Sequence, residues 1–266
     1  MTSRRLPLTV VCLAALFLLT VNQAGAQSIA TGSSDDGPIE IEADDGIEWL
    51  RDSKRYIARG NATASQGGLT VRSDTLTAFY RGGENGERQQ IFRMDADRNV
   101  VITAEDAEAT GDKAVYHVDK QVAVLVGENL QLVTRDASIT AEESLEFWQA
   151  RSLAVARGEA TIIQNGNRLV AGVLTAYIQN GADGKRAVQR IDALDGVHIS
   201  TETEIVRGRE GVYDVPKEIA TVCGDVKITR GENQLNGNCA VVDMKTGRSK
   251  ITGGGSKVKG LILSTE

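Results

Sequence analysis

Closely spaced carboxylates are the residues of this chain whose types and spacing best suit catalysis. They form four pairs: Asp44 with Asp45, Asp95 with Asp97, Glu142 with Glu143, and Asp192 with Asp195. Two carboxyl groups that flank a glycosidic bond can hydrolyse it, one as acid and the other as nucleophile or base. Most of these pairs, however, adjoin Gly, Asn or Ala at the ends of predicted strands, where turns favour acidic side chains. We interpret the pairs as structural and keep a secreted β-solenoid enzyme acting on polysaccharide as an alternative hypothesis.

The other residue types that catalysis or metal binding needs are scarce. The two histidines, His117 and His198, have no Cys or acidic partner at the spacing of a metal site. The sequence has no Gly-x-Ser-x-Gly, no His-Glu-x-x-His and no phosphate-binding loop, and its acidic loops lack the calcium pattern Asp-x-Asp-x-Asp-Gly. We predict that the protein is not an enzyme and that it uses no metal and no cofactor.

The N-terminal residues have the pattern of a secretory signal peptide. Arg4 and Arg5 give a positive start, residues 6–21 are mainly apolar, and residues 24–26 (Ala-Gly-Ala) fit a cleavage site. We predict a signal peptide over 1–26, a flexible segment over 27–38, and one domain over 39–266. An uncleaved N-terminal anchor is the alternative interpretation.

Export favours a disulfide between two of the three cysteines. Cys223 and Cys239 are equidistant from Gly231, which lies in the turn-forming stretch 230–233. In an antiparallel hairpin centred there, the two cysteines would face each other across the ladder. An exported protein keeps such a pair oxidised, so we predict a structural disulfide.

Composition limits the fold class and the partners. Residues 27–266 hold 28 basic and 36 acidic residues, a net charge of −8, which argues against nucleic acid and against electrostatic adsorption to anionic membranes. No long stretch has the apolar stripe of an amphipathic helix, whereas Thr, Val and Ile are frequent. We predict an all-β chain with many short strands.

A repeating register organises these strands. Turn-prone marker residues stand before short alternating stretches at seven positions: Gly60, Asn99, Gly127, Gly158, Gly196, Gly224 and Gly254. The spacings between markers recur after every third step, so the series is duplicated at an offset of about 97 residues. This pattern predicts about seven repeated strand-turn-strand units rather than a domain with one catalytic cleft. Polar insertions at 81–88 and 179–186 occupy equivalent points of the two halves.

Alternation around the markers indicates which side chains face inward. Residues at even distances from the marker glycines are mostly small or apolar, and the adjacent odd positions are mostly charged. If the inner faces close tightly they form only a core. If the sheet stays open, the inner face is a trough for acyl chains, in which each buried methylene contributes about 0.8 kcal/mol. The candidate lipid-binding residues are Ile47, Trp49, Tyr56, Ala58, Ala62, Leu125, Phe147, Ala156, Ala160, Ile162, Val222, Val226 and Ile228.

Five short motifs stand in a distinctive order. They are Ile39-Glu40-Ile41-Glu42-Ala43-Asp44, then Tyr56-Ile57-Ala58-Arg59-Gly60-Asn61-Ala62, then Arg72-Ser73-Asp74-Thr75-Leu76, then Ile191-Asp192-Ala193-Leu194-Asp195-Gly196-Val197-His198-Ile199, and finally Gly247-Arg248 with Gly253-Gly254-Gly255-Ser256-Lys257-Val258. In this order, and with the export signal, the chain resembles the OstA/LptA family of periplasmic lipopolysaccharide-transport proteins. The resemblance covers about residues 39–263.

The resemblance implies a fold, a cargo and partners. The expected fold is one elongated, twisted antiparallel sheet folded into a V-shaped jelly roll, with the acyl chains of lipopolysaccharide (its lipid A) inside. The implied partners are an inner-membrane transporter complex at one end, an outer-membrane β-barrel translocon at the other, and further copies stacked head to tail. Open sheet edges would make these contacts, and the candidate edge residues are Ile39, Ile41, Val258, Leu261 and Leu263. An inner-membrane-anchored partner of the same system is the alternative within this family.

Overall fold

A computed structural model of the chain describes residues 39–82, 88–104, 106–180, 186–246, 248–255 and 257–263. The predicted signal peptide, the predicted flexible segment 27–38 and most of the two polar insertions lie outside these residues. The described chain consists of strands and turns, with a single 3-10 turn at Gln149–Arg151 as its helical element. The predicted all-β class is confirmed. Within the described ranges, no helix has the length and apolar character that crossing a membrane requires.

Twenty strands follow one another along the described chain. The first ten are β1 (Glu40–Glu42), β2 (Gly46–Leu50), β3 (Arg55–Gln66), β4 (Leu69–Arg81), β5 (Gln90–Ala104), β6 (Ala107–His117), β7 (Val122–Val126), β8 (Leu130–Thr134), β9 (Ala137–Ala141) and β10 (Ser144–Trp148). The others are β11 (Leu153–Gln164), β12 (Asn167–Asn180), β13 (Arg186–Leu194), β14 (Val197–Ser200), β15 (Ile205–Gly208), β16 (Glu210–Asp214), β17 (Ile219–Arg230), β18 (Asn233–Asp243), β19 (Arg248–Thr252) and β20 (Lys259–Leu261). Their alternating apolar and polar residues suit a sheet with one buried face.

The strands form two walls that share the long strands β3, β4, β5, β6, β11, β12, β17 and β18. The first wall has the order β2–β3–β4–β5–β6–β7–β10–β11–β12–β13–β16–β17–β18–β19. The second wall has the order β1–β3–β4–β5–β6–β8–β9–β11–β12–β14–β15–β17–β18–β20. All of these pairings are antiparallel. The expected single antiparallel sheet is confirmed, and its folding into two walls agrees with a V-shaped jelly roll.

The sheet bends from one wall to the other at the marker residues. All seven markers have a positive φ, between 51° at Asn99 and 157° at Gly127. The pairing register shifts around Gly60, Asn99, Gly158 and Gly224. These register shifts are β-bulges, which add a residue to one strand and increase its local twist. Each bulge therefore lets a long strand leave one wall and continue in the other.

Small side chains lie beside the bends, where the two walls meet. Ala62, Ala160 and Ala171 are at most 1 % exposed, and Ser73 is buried next to them. Short side chains allow two backbones to approach closely without leaving voids. We call this line of convergence the apex of the V.

The hairpin of β17 and β18 carries the predicted disulfide. Cys223 and Cys239 are directly opposite in the register, with their Cα atoms 4.1 Å apart, and their sulfur atoms are bonded. A tight turn at Gly231 and Glu232 joins the two strands. The predicted disulfide is confirmed.

Each wall ends in strands that have one neighbour in the described chain. Strands β1 and β2 pair with β3, and strands β19 and β20 pair with β18. The candidate edge residues Ile39, Ile41, Val258, Leu261 and Leu263 lie in or beside β1 and β20. An edge strand presents unpaired backbone N–H and C=O groups that another strand can complete.

Candidate functional site

An apolar cavity of about 280 Å3 lies between the two walls, and we call it the trough. The first wall lines it with residues that include Ala58, Ala96, Leu125, Phe147, Ala156 and Leu174. The second wall lines it with residues that include Ile41, Val71, Ile102, Leu132, Ile139 and Ile162. Because the lining extends from β1 and β2 to β13, the trough runs across the strands rather than along one of them.

Many of the residues with which the first wall lines the trough are alanines. The lining includes Ala78, Ala96, Ala114, Ala123, Ala154 and Ala176. Intervening residues such as Thr77, Asp95 and Val155 also line the cavity, although alternation directs their side chains to the outer face. Their backbone atoms therefore border the cavity, because the small side chains of the neighbouring alanines do not cover the backbone. The small alanine side chains leave open space between the walls, beside the packed core.

Aromatic side chains border the trough. Tyr116 and Phe147 line it directly. Near its N-terminal end, the ring centroid of Tyr56 lies 5.6 Å from that of Trp49 and 5.3 Å from that of Tyr80. The indole N–H of Trp49 donates a hydrogen bond of 2.8 Å to the Tyr80 hydroxyl, which fixes this cluster. Burial raises the pKa of the Tyr116 phenol, so this residue adds no charge to the trough.

The structure brings part of the predicted lipid-binding set together. The trough is lined by Ile47, Tyr56, Ala58, Leu125, Phe147, Ala156 and Ile162, and also by the predicted edge residues Ile39 and Ile41. Trp49 is 46 % exposed and stands beside the trough in the aromatic cluster. For these residues, lipid contact stays a prediction that their position favours.

The other predicted residues lie elsewhere on the inner face. Ala62 and Ala160 are at the apex, where the walls converge. Val222, Val226 and Ile228 belong to the packed hydrophobic core, and none of the described residues after Ile191 lines the trough. None of these five side chains is part of the trough lining, and for them lipid contact stays an untested prediction.

Several lining residues were not singled out from the sequence. Leu132 and Ile139 face the trough from β8 and β9, and Met94 and Ile102 face it from β5. The signal was present, because Leu130, Leu132 and Thr134 alternate with polar or exposed residues in β8. Even distances from Gly127, which the alternation rule assigns to the inner face, fall on Asn129, Gln131 and Val133 instead of Leu130 and Leu132. The rule fails here because residues 127–129 form a turn between two strands rather than a bulge within one.

An ion-pair network lies on the outer face of the first wall. Glu146 accepts hydrogen bonds from Arg157 Nε at 2.7 Å, from Trp148 Nε1 at 2.7 Å and from Ser144 Oγ at 3.0 Å. Burial opposes ionisation of Glu146, but these donors outweigh it, so the pKa of the carboxyl group lies below its usual value. Glu146 is therefore a charged structural residue that links β10 to β11, and, like Asp95, it also belongs to the lining of the trough.

Two of the carboxylate pairs are at the bends. The backbone N–H of Asp44 donates to the carbonyl oxygen of Gly60 at 2.8 Å, and that of Glu142 donates to the carbonyl oxygen of Gly158 at 2.7 Å. These backbone contacts are equivalent in the two halves of the chain.

In each of the other two pairs, one carboxylate forms a close ion pair with an arginine. Asp95 pairs with Arg93 at 2.6 Å, and Asp192 pairs with Arg190 at 2.5 Å. Burial and the Asp192 hydrogen bond raise the pKa of Tyr177, which donates to Asp192 at 3.1 Å. In the part of the chain that the structure describes, no group of three or more His, Cys, Asp or Glu side chains is arranged to hold a metal ion.

The family model for the LptA/(LptD N-terminal domain) LPS transport protein matches residues 40–144 and, a second time, residues 138–248. Together the two matches cover more than half of the chain. The chain belongs to this family. The two matches begin 98 residues apart, which is also the distance between Gly60 and Gly158.

Membership in the LptA/LptD N-terminal family confirms the resemblance seen in the sequence and gives the protein a role in lipopolysaccharide transport. Lipopolysaccharide and its transport system are therefore its partners in general terms. The family is one of transport proteins and not a class of enzymes.

Two relatives illustrate the similarity. The chain is 25 % identical over 138 residues to an uncharacterized protein of Rhizobium meliloti (strain 1021), in a match that covers 50 % of this chain and 74 % of that protein. Among solved structures it is similar to LptH of Pseudomonas aeruginosa, described as the LptA homologous periplasmic component of the lipopolysaccharide transport device. That match has a TM-score of 0.40 and 15 % identity, and it covers 48 % of this chain and 95 % of LptH.

Proposed function

We propose that the protein is a periplasmic carrier that shields the acyl chains of lipopolysaccharide on their way between the inner and outer membranes. The observation that carries the proposal is the trough, which is apolar and lined by both walls. Each methylene that leaves water for such a lining contributes about 0.8 kcal/mol. Acyl methylenes can therefore be held without a charged contact, and the sugar and phosphate groups stay at the opening of the V.

The length of the walls suits a bridging role. Each wall orders fourteen strands. Neighbouring strands are about 4.8 Å apart, so one copy extends roughly 60 Å along the sheet. We place the resting lipid in the part of this length that contains the trough, from β1 to β13.

The two ends of the sheet carry opposite charges. Residues 39–50, which include β1 and β2, hold Glu40, Glu42, Asp44, Asp45 and Glu48 and no basic residue. Residues 248–263, which include β19 and β20, hold Arg248, Lys250, Lys257 and Lys259 and no acidic residue. Open edges with complementary charge suit the head-to-tail pairing of copies by strand addition. By the same strand addition, we propose, one end engages an inner-membrane transporter complex and the other an outer-membrane β-barrel translocon.

Site-specific photo-crosslinking tests the carrier proposal. Phe147 and Trp148 are neighbours in β10, but Phe147 lines the trough and Trp148 bonds to Glu146 on the outer face. Each is replaced separately by the photo-reactive residue p-benzoylphenylalanine in cells that make lipopolysaccharide. We expect a lipopolysaccharide adduct at position 147 and none at position 148.

The neighbouring position is the matched control, because both variants place the same aromatic ketone in the same strand. Secretion and an unchanged β circular-dichroism spectrum show that each variant is folded. Equal adducts at the two positions, or no adduct at position 147 in a folded variant, would contradict the proposal.

A further inference from the structure

A row of basic side chains crosses the outer face of the second wall near its C-terminal end. The cross-strand register places His198 opposite Arg207, Arg207 opposite Lys227, Lys227 opposite Asn236, and Asn236 opposite Lys259. Neighbouring strands are about 4.8 Å apart, so these residues form a continuous line. Arg168, opposite Ser200 in the same region, extends it. We call Arg168, His198, Arg207, Lys227 and Lys259 the basic strip.

The cations of the basic strip are exposed and have no acidic partner in the described chain. Arg168, Arg207, Lys227 and Lys259 are exposed and form none of the ion pairs found among the described residues. On the first wall, by contrast, Arg93, Arg157 and Arg190 each pair with a carboxylate. The N-terminal part of the same row has no net charge, since it holds one basic residue, Arg72, and one acidic residue, Glu42. Its other residues are uncharged: Thr63, Val101, Thr110, Gln131, Thr140, Thr161 and Val170.

Exposed aliphatic side chains adjoin the strip at its open edge. Leu261 is 59 % exposed, Ile262 74 % and Leu263 52 %. Leu261 is two residues from Lys259 in β20, so alternation puts both side chains on the outer face. Cations beside exposed aliphatic side chains are the combination that binds the surface of an anionic membrane.

We infer that this C-terminal corner of the second wall docks on the surface of an anionic phospholipid membrane. The basic strip faces the lipid phosphates, and Leu261 and its aliphatic neighbours enter the boundary between headgroups and acyl chains. This inference does not rest on the trough and holds whether or not the trough carries lipid.

The acidic net charge of the chain does not oppose this docking. The acidic β1–β2 end lies roughly 60 Å away along the sheet. The Debye length at physiological salt is about 8 Å, so the membrane responds to the local cations. The net charge of −6 is a sum over the whole chain and does not show the local excess of positive charge in the basic strip.

Vesicle flotation of the exported protein tests the inference, with its N-terminus determined by sequencing. One set of vesicles contains equal parts of phosphatidylglycerol and phosphatidylcholine, and the other contains phosphatidylcholine alone. We expect binding to the anionic vesicles that salt suppresses. The R207Q/K227Q variant should weaken that binding roughly twentyfold to thirtyfold, since each basic residue near such a surface contributes about 1 kcal/mol.

A charge-matched variant separates the strip from the overall charge. R72Q/K120Q removes two exposed cations far from the strip, and its binding should equal that of the unmodified protein. Equal binding to both vesicle types, or equal loss in the two variants, would overturn the inference. Strip-dependent capture of polyglutamate without binding to anionic vesicles would also overturn it and would assign the strip to an acidic protein.

Discussion

Gly158 and Glu143 are so close at the bend of β11 that a Cβ atom on Gly158 would lie 2.7 Å from the Cγ atom of Glu143. The φ of Gly158 is 81°, and a left-handed conformation costs a non-glycine residue roughly 1–2 kcal/mol. We therefore expect G158A to lower the free energy of unfolding by more than 2 kcal/mol, because steric overlap adds to about that backbone cost. Urea denaturation measures the change.

Gly166 provides the matched control for this bend. Its φ is 79°, but a Cβ atom there would have no neighbour within 4 Å. G166A should lower the free energy of unfolding only by the cost of the left-handed backbone conformation, roughly 1–2 kcal/mol. If G158A and G166A were equally stable, close packing at the bend would not be what requires glycine.

Removal of the disulfide should destabilise the C-terminal hairpin and, through it, the end of the sheet. Cys223 and Cys239 are 16 residues apart, and closing a loop of this size contributes about 3 kcal/mol in the chain-entropy model. We expect the C223S/C239S variant to unfold at a lower urea concentration than the oxidised protein. A reducing agent should lower the urea midpoint of the unmodified protein to that of the variant, and it should leave the midpoint of the variant unchanged. A variant as stable as the oxidised protein would refute a stabilising role.

The fold could be predicted because two local signals agree along the chain. Residues such as Ala58 and Ala156 alternate with charged neighbours, and the markers Gly60 and Gly158 recur at equivalent bends. Alternation identifies the buried face of a strand, however, and not the distance to the opposite wall. Leu125 and Val222 occupy equivalent positions 97 residues apart and are both buried in the hydrophobic core, yet Leu125 also lines the trough and Val222 does not.

The basic strip could not be predicted from the sequence for a different reason. Lys227 and Lys259 are 32 residues apart, and they share a row only because both oppose Asn236 in the register. Turn geometry specifies the register within a hairpin such as β17–β18, but the order of strands that are not joined by a hairpin, such as β18 and β20, has no local signal. Net charge, which sums over the whole chain, hides such a row.

Glu146 should make stability depend on pH in the acidic range. Burial opposes its charge and three hydrogen bonds favour it, with the net effect that its pKa in the folded protein lies below the ordinary value of 4.5. The unfolded chain then binds the proton more readily, so this contribution is complete above pH 4.5 and is lost as the pH falls through the lowered pKa. We expect E146Q to remove this part of the acid dependence in denaturation measured at several pH values.

Glu48 is the equivalent residue 98 positions earlier, and it serves as the control for E146Q. Its carboxylate is 3.7 Å from Arg59, and about half of the side chain is exposed. E48Q should leave most of the acid dependence in place. An E146Q protein with the same pH profile as the unmodified protein would show that the Glu146 network is not the source.

Filling the trough should weaken lipopolysaccharide binding without unfolding the protein. Ala123 lines the trough and is half-buried, so a phenyl ring in A123F would occupy space that we assign to acyl methylenes. Displacing two methylenes costs about 1.6 kcal/mol, which corresponds to at least a tenfold weaker dissociation constant. Val126 is in the same strand with its side chain on the outer face, and V126F should bind normally. Unchanged binding by a folded A123F variant would argue against the trough as the lipid site.

Charge reversal at the two ends should control self-association. In E40K/E42K strand β1 becomes basic, and in K257E/K259E the segment 257–263, which contains β20, becomes acidic, so each variant alone opposes like charges where β1 of one copy meets β20 of the next. Exposed ion pairs contribute up to about 1 kcal/mol each, and we expect each variant to associate about tenfold or more weakly than the unmodified protein.

Mixing the two variants is the decisive measurement, because the basic strand β1 of one then meets the acidic β20 segment of the other. Sedimentation velocity at low salt should show mixed assemblies that neither variant forms alone, and added salt should dissociate them. If the mixture behaves as the sum of its components, the edges do not recognise each other through these charges. Self-association would then have to rest on the backbone edges and aliphatic contacts alone.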